Sequence, residues 1–137
     1  MALPNGGGGY QIGDGNINEI DFFVTPVPAT ATATATLTAA QVLNGTLLGS
    51  PGSSAASYTL PTVADLENTL LNADKPGITF DFSVVNVDGS GSGVITLVTN
   101  TGWTLVGLMT VAATAGTAQL FRARKTGTGA WTLYRRG

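Results

Sequence analysis

Residues 77–107 read GITFDFSVVNVDGSGSGVITLVTNTGWTLVG, and this stretch decides the fold that the sequence predicts. Apolar and polar side chains alternate over Ile78–Val84, which indicates a β-strand with one face in a core. The alternation breaks at Val85, which indicates a β-bulge or a strand end that is covered on both sides. Residues 88–93 are rich in glycine and serine, so the chain can reverse there. Because a return strand over 94–98 and a third strand after the next turn follow, we expect an antiparallel meander.

The rest of the chain continues as short strands separated by turns. Residues 29–37, ATATATATL, alternate with a period of two and predict one strand with small side chains on both faces. Thr38 and Gln41 form a capping-box pattern that starts a helical turn, and Thr62 caps a helix predicted over Val63–Leu71. About eight short strands with short turns predict an all-β fold, an antiparallel two-sheet jelly-roll β-sandwich with one short helix.

Residues 1–28 differ from the rest and are predicted to be an extended N-terminal arm, followed by the jelly-roll domain at 29–137. Four consecutive glycines give the arm a flexible joint. Ile20, Phe22 and Phe23 lie in an apolar patch that is costly to leave in water. We expect this arm to dock on its own domain, on a neighbouring subunit or on a partner shell. The alternative, that the arm is an edge strand of the same domain, stays open.

Charge is scarce and unevenly distributed. Charged residues make up 10% of the 137 residues, and the net charge is −2, where about 25% charged residues are usual. A surface so poor in charge favours association. All eight acidic residues lie at or before Asp88, and five of the six basic residues lie at or after Arg122. Either the two halves neutralise each other within one sandwich, or the basic end faces an acidic partner. The basic footprint is too weak for nucleic acid, so we expect no nucleic-acid partner.

The sequence offers little catalytic or metal-binding chemistry. It contains neither His nor Cys, which excludes triads and zinc sites built from them. Residues 88–93 hold one acid, too few for a calcium loop, and no carboxylate pair stands out as acid and base. We therefore expect no catalytic residue, no cofactor and no metal. Trp103 and Trp131 suit a sugar-binding platform, although aromatic residues in strands more often belong to a core. Arg122 and Arg124 share a strand face and suit an anion or a partner surface.

The N-terminal sequence and the apolar runs carry no targeting signal. The first ten residues have neither the basic region nor the apolar region of a secretory signal. No apolar run approaches the roughly 18 residues of a membrane span. We expect no leader and no membrane partner.

A family resemblance enters through the order of five segments. They are LTAAQVLNGTLL, YTLPTVADLENTLL, ITFDFSVVNVDGSGSGVITL, TGWTLVG and AQLFRARKTGTGAWTLYR. With a capped turn, a short helix after Leu-Pro, an apolar hairpin, a Gly-rich tryptophan turn and a terminal aromatic-basic strand, residues 29–136 resemble the jelly-roll capsid cement (head decoration) proteins of tailed bacteriophages. The resemblance implies a homotrimer outside the phage head, at local three-fold positions between capsomers, where it clamps major capsid proteins together. It implies no catalytic residues.

The partners that the resemblance implies are the major capsid protein and further copies of this chain. The expected location is the outer surface of the virion capsid, after assembly in the host cytoplasm. The candidate contact residues are Ile20, Phe22, Phe23, Arg122 and Arg124. Two other functions stay open: a receptor- or glycan-binding tip of a phage tail fibre or adhesin, and a glycan-processing enzyme, which would need a carboxylate pair.

Overall fold

The computed structural model of the protein describes residues 24–72 and 75–137. Within these ranges the chain forms ten β-strands and two short α-helices. In chain order they are β1 (Ala29–Ala31), β2 (Ala35–Thr36), α1 (Ala39–Leu43), β3 (Thr46–Gly49), β4 (Ala56–Thr59), α2 (Val63–Thr69), β5 (Thr79–Asn86), β6 (Ile95–Val98), β7 (Trp103–Val106), β8 (Thr110–Val111), β9 (Thr117–Gly127) and β10 (Ala130–Arg136).

The strands form two sheets, which confirms the predicted two-sheet, all-β architecture. The six-stranded sheet has the order β1-β3-β5-β9-β10-β7, and the four-stranded sheet has the order β2-β4-β6-β8. The prediction that the sheets are antiparallel is wrong. Among the described strands, the pairs β1/β3, β3/β5, β2/β4, β4/β6 and β7/β10 are parallel. Only β5/β9, β9/β10 and β6/β8 are antiparallel, so the pairing does not confirm jelly-roll topology.

The parallel pairs arise because the chain winds alternately through the two sheets. β1, β3 and β5 lie side by side in one sheet, and β2, β4 and β6 lie side by side in the other. Each strand is therefore followed by a crossing to the opposite sheet and a return, which brings the next strand back in the same direction. Three such windings make up residues 29–98. β9 and β10 then extend the larger sheet as an antiparallel hairpin.

The predicted meander over 77–107 is wrong in its pairing, although its three strands exist. β5 pairs with β3 and β9, β6 pairs with β4 and β8, and β7 pairs with β10. The glycine-rich loop does not reverse the chain within one sheet but carries it to the other. Asn86, fully buried, holds this crossing: its amide donates to the carbonyls of Gly93 (2.8 Å) and Ala112 (2.9 Å), and its side-chain oxygen accepts from the N–H of Gly89 (2.6 Å).

Of the two explanations offered for the break at Val84–Val85, a bulge or a strand end that is covered on both sides, the bulge is wrong. β5 keeps one continuous register against β9 from Thr79 to Asn86. The alternation fails in the sequence because the inward-facing position after Val84 is the polar Asn86, while Val87 beyond the strand is exposed. A buried amide that hydrogen-bonds to a loop occupies a core position without being apolar. A pattern based on hydrophobicity alone therefore shows a break in the alternation there.

The alternating Ala-Thr segment forms two strands, not the single strand predicted. β1 lies in the six-stranded sheet and β2 in the four-stranded sheet. The Tyr58 hydroxyl, on β4, donates to the carbonyls of Ala31 (3.0 Å) and Thr32 (3.2 Å), and the Thr34 hydroxyl accepts from the N–H of Ser57 (3.0 Å). These bonds hold the chain where it bends between the sheets, and burial raises the pKa of Tyr58.

Both predicted helix starts are confirmed. Thr38 and Gln41 form the reciprocal capping box of α1, and the Thr62 hydroxyl accepts from the N–H of Asp65 at the start of α2. α2 ends at Thr69, two residues earlier than predicted. The helices contact each other, and each precedes the start of a strand of the larger sheet. They lie together at what we call the helical end of the sandwich.

Candidate interaction surface

The six-stranded sheet has one face in the core and one in solvent. Along β9, Phe121 and Ala123 are fully buried, whereas Leu120, which lies on the opposite face of the strand, is 41% exposed. The same alternation holds in β5, where Phe82 and Val84 are buried. We call the solvent side of this sheet the outer face. No described element covers it.

Arg122 lies on the outer face and is paired across strands with Asp81 of β5. Its Nε and Nη2 donate to the two carboxylate oxygens of Asp81 at 2.7 and 2.9 Å. These bonds lower the pKa of Asp81 and raise the pKa of Arg122. Both side chains remain more than a third exposed. The pair therefore fixes the positions of two side chains on the outer face but adds little to the stability of the fold.

Arg124 lies two residues further along β9, on the same face and opposite Thr79. Among the described residues it makes no ion pair. Gly77 lies beside it, since a first side-chain carbon placed on that glycine would be 3.9 Å from Nη2 of Arg124. The outer face therefore presents a guanidinium next to the helical end of the sandwich.

The opposite part of the outer face carries apolar side chains. Tyr134 of β10 lies between Arg122 of β9 and Val106 of β7, and Val106 is 46% exposed. Leu120 lies one row further along, opposite Arg136. We call Val106, Leu120 and Tyr134 the apolar corner. Leu108, just beyond β7, is also exposed, so apolar surface continues past the sheet edge.

The structure brings together only part of the predicted contact set. Arg122 and Arg124 share a face, as the alternation predicts, but Arg122 is already paired with Asp81. Ile20, Phe22 and Phe23 lie outside the described residues. The apolar corner was not anticipated. The exposure of Leu120 could be predicted from the sequence, because Leu120 is an even number of residues from the two arginines of β9 and so lies on the same face. Val106 and Tyr134 lie beside it only because of the order of the strands in the sheet.

A second charged cluster was missed and lies inside the sandwich. Lys125 has the parity of Phe121 and is 5% exposed. Its ammonium pairs with the carboxylate of Glu67 on α2, and Nε1–H of Trp131 donates to the same carboxylate at 3.0 Å. The Lys125 hydrogen bond is the main cause of the lowered pKa of Glu67. This cluster attaches α2 to the six-stranded sheet, so its role is structural. The sequence indicated it through a lysine at a position of β9 that alternates in step with the core residues.

The tryptophans form core, and the idea of a sugar-binding platform on them is wrong. Trp131 is fully buried and Trp103 is 7% exposed. Their ring centroids lie 6.2 Å apart, and Nε1–H of Trp103 donates to the carbonyl of Pro61 at 2.7 Å. Phe80 continues the row, 5.6 Å from Trp131. An exposed ring face, which a sugar needs, is missing from both residues.

The carboxylate of the glycine-rich loop has a local partner. Asp88 accepts a hydrogen bond from the N–H of Gly52 at 3.0 Å, and the N–H of Ser90 donates to the carbonyl of the same glycine. The loop thereby packs against a neighbouring turn. In residues 24–72 and 75–137, no three His, Cys, Asp or Glu side chains are grouped as a metal site would require.

Comparison with known proteins gives no family assignment, because no family model, curated protein or solved structure matches the chain significantly. Neither helix of the described ranges is long and apolar enough to cross a membrane.

Proposed function

We propose that this chain is a structural capsid cement protein, which binds as a trimer on the outer surface of a phage head. In this role it stabilises contacts between capsomers of the major capsid protein and carries out no catalysis. The resemblance to jelly-roll cement proteins is part of this proposal. It comes from the sequence, and the observed strand pairing gives it no support.

The observation that carries the proposal is the outer face of the six-stranded sheet, which no element of the described ranges covers. It combines the apolar corner with arginine side chains in a chain that has only 10% charged residues. Exposed apolar surface of this kind is typical of protein–protein interfaces, and arginine is enriched there. The sheet also leaves the outer edges of β1 and β7 without a strand neighbour among the described residues, which adds backbone groups for contact.

The alternative function, a receptor- or glycan-binding tip of a tail fibre or adhesin, relied on accessible tryptophans. Both are buried, so no specific observation favours it.

Light scattering of the pure protein, followed by cryo-electron microscopy of the particle that contains it, tests the proposal. We expect a mass of about three times 13.9 kDa and density for the chain outside the head. Leu120→Glu should weaken trimer formation or particle binding by at least about tenfold, since it places a carboxylate in the apolar corner.

Thr114→Glu, in an exposed loop, is the matched control and should leave both properties unchanged. A chain found in the tail or missing from the particle would overturn the proposal. So would a Leu120→Glu variant that assembles and binds like the wild type.

A further inference from the structure

An apolar cleft opens at the helical end of the sandwich, between the end of α2 and the start of β5. Its volume is about 480 Å³, and its apolar lining consists of Leu70, Leu71, Ile78 and Phe80. Leu71 is 85% exposed. A leucine with so little cover marks a surface that gains stability when another apolar group packs on it. We call this the end cleft.

A cation lies at the rim of the end cleft. Thr79, which also lines the cleft, is the cross-strand neighbour of Arg124. The guanidinium of Arg124 lies beside Gly77, next to the lining residue Ile78. An apolar floor with a guanidinium at its edge suits an aromatic side chain that has a carboxylate beside it in sequence.

The chain itself contains that combination immediately before its first described residue. Residues 19–23 read Glu-Ile-Asp-Phe-Phe. Residues 1–23 contain three acids and neither Lys nor Arg. This segment is therefore complementary to the end cleft in both charge and hydrophobicity.

The point at which the described chain begins is on the correct side of the molecule. The side chain of Asn44, at the end of α1, donates to the carbonyl of Val27 at 2.8 Å, which holds the segment near the start of β3. Because β3 and β5 are parallel neighbours, this is also the end at which β5 starts and the cleft opens.

The distances are short enough for the segment to reach the cleft of its own chain. Asn44 holds Val27 near the start of β3, and β3 and β5 are adjacent strands, about 5 Å apart. Phe22 lies five residues before Val27, which allows up to about 17 Å of extended chain. A tethered segment also has a high effective concentration, so docking on the same chain outcompetes docking on another copy.

Two other arrangements fit less well. A second cleft near α1, of about 600 Å³, has Asp65 in its lining, which would repel an acidic segment. Packing of two outer faces against each other at this end would bring together the Arg124 guanidiniums of two copies. The chemistry therefore selects the acidic-aromatic segment and the end cleft.

We propose that Asp21, Phe22 and Phe23 occupy the end cleft of their own chain, with Phe22 against Leu71 and the carboxylate of Asp21 paired with Arg124. Residues 73 and 74 lie outside the described residues, and the proposal does not use them. The proposal needs neither a trimer nor a capsid, so it can fail or succeed independently of the proposed function.

Disulfide trapping in the full chain tests the docking, because the protein has no native cysteine. The double variant Phe22→Cys/Leu71→Cys should form an intramolecular disulfide at least about tenfold faster than the control Phe22→Cys/Asn68→Cys. Asn68 is also exposed on α2 but lines the second cleft. The rate should not depend on protein concentration. Equal rates for the two pairs would overturn the proposal, and so would a product that is mainly a covalent dimer.

A charge swap supplies an independent measurement on the same trapping reaction. Asp21→Lys and Arg124→Glu should each slow the reaction several-fold, and their combination should restore it. Asp14→Lys changes the charge of the segment equally but further from the cleft, and should change the rate less than twofold. Circular dichroism confirms that each variant is folded. If the combination does not restore the rate, Asp21 and Arg124 are not partners and the proposal is wrong.

Discussion

Residues 29–98 and residues 103–136 contribute to the same two sheets in different ways. In the first region, strands of that region that neighbour each other in a sheet are parallel, and the chain between them visits the other sheet. In the second region β9 and β10 form a long hairpin, β9 pairs antiparallel with β5, and β7 lies parallel to β10. A hairpin is held by the backbone bonds of its own ladder, whereas a crossing between sheets has no such ladder. The crossings of the first region therefore depend on side chains and on single backbone bonds, such as the one from the N–H of Ser90 to the carbonyl of Gly52.

The side-chain bonds of the two regions agree with this difference. In the first region, Tyr58 binds the carbonyls at the first crossing and Asn86 binds the groups around the glycine-rich loop. Asn100, in the turn just after the first region, donates to the carbonyl of Leu60 within that region at 2.8 Å. In the second region, Gln119 donates to the carbonyls of the last two residues, at the end of the hairpin. Substitutions of these amide side chains should therefore lower the stability of the protein by different amounts in the two regions.

Asn86→Ala should have the largest effect on stability. It leaves the buried carbonyl of Gly93 and the partly buried carbonyl of Ala112 without this donor, and we expect the free energy of unfolding to fall by about 3 kcal/mol. Gln119→Ala is the matched control in the second region, where water can reach the chain end, and should cost only about 1 kcal/mol. Urea denaturation measures both. Equal losses would contradict the idea that the crossings depend more on side chains than the hairpin does.

Gly93→Ala should have the next largest effect. A methyl group there would overlap the carbonyl oxygen of Gly52, so the loop and the turn must separate, at a cost of about 2 kcal/mol. Gly127 lies in the hairpin and has open space around the same position; Gly127→Ala should change stability by less than about 0.5 kcal/mol. Thermal unfolding followed by circular dichroism compares the two. A Gly127 variant that loses as much as the Gly93 variant would remove the distinction.

The contact between Glu67 and Lys125 joins the two regions and should make stability depend on pH. The pKa of Glu67 is lowered from 4.5, chiefly by the hydrogen bond from Lys125. Its contribution is therefore complete above pH 4.5 and is lost as the pH falls through the lower pKa of the folded state. Glu67→Gln should be about 1 kcal/mol less stable near neutral pH, because Lys125 then has a neutral acceptor. Denaturation at several pH values should show a smaller acid loss in the variant; identical pH profiles would contradict the assignment.

Arg122→Ala should have the smallest effect on the fold. The pair with Asp81 is exposed on the outer face, so we expect the melting temperature to change by no more than about 2 °C. Any coupling found in a double-mutant cycle with Asp81→Ala should disappear in about 1 M NaCl. A larger fall in melting temperature that salt does not reduce would contradict this prediction. It would mean that the Arg122–Asp81 pair holds β5 against β9, a role that we attribute to the backbone hydrogen bonds.

The sequence predicted local structure better than pairing. Both helix caps were predicted correctly, because a cap depends on residues three apart. The inward face of β5 was predicted correctly as well, because alternation is a property of one strand. The strand partners were not, since a glycine-rich loop such as 88–93 serves a hairpin and a crossing between sheets equally well. A run such as ATATATATL does not show where it bends either, because the bonds that hold the bend come from Tyr58.

The interaction surface shows the same limit. Arg122 and Arg124 were placed on one face from their spacing alone. Asp81, which pairs with Arg122, and Val106, which lies beyond Tyr134 in the same row, come from strands that the predicted meander would have placed elsewhere. The apolar corner becomes visible only when β7, β9 and β10 are known to be adjacent, which no local pattern specifies.

The position of β5 has a consequence for how the protein is made. β5 ends at Asn86, and β9, which covers its second edge, begins only at Thr117. During synthesis the three windings can emerge from the ribosome while that edge still has no partner and its backbone groups are unpaired. Long-range pairing of this kind slows folding and leaves the nascent chain open to association with other chains. Residues 117–137 therefore act in the closing step of folding, and a chain truncated before β9 should aggregate rather than fold.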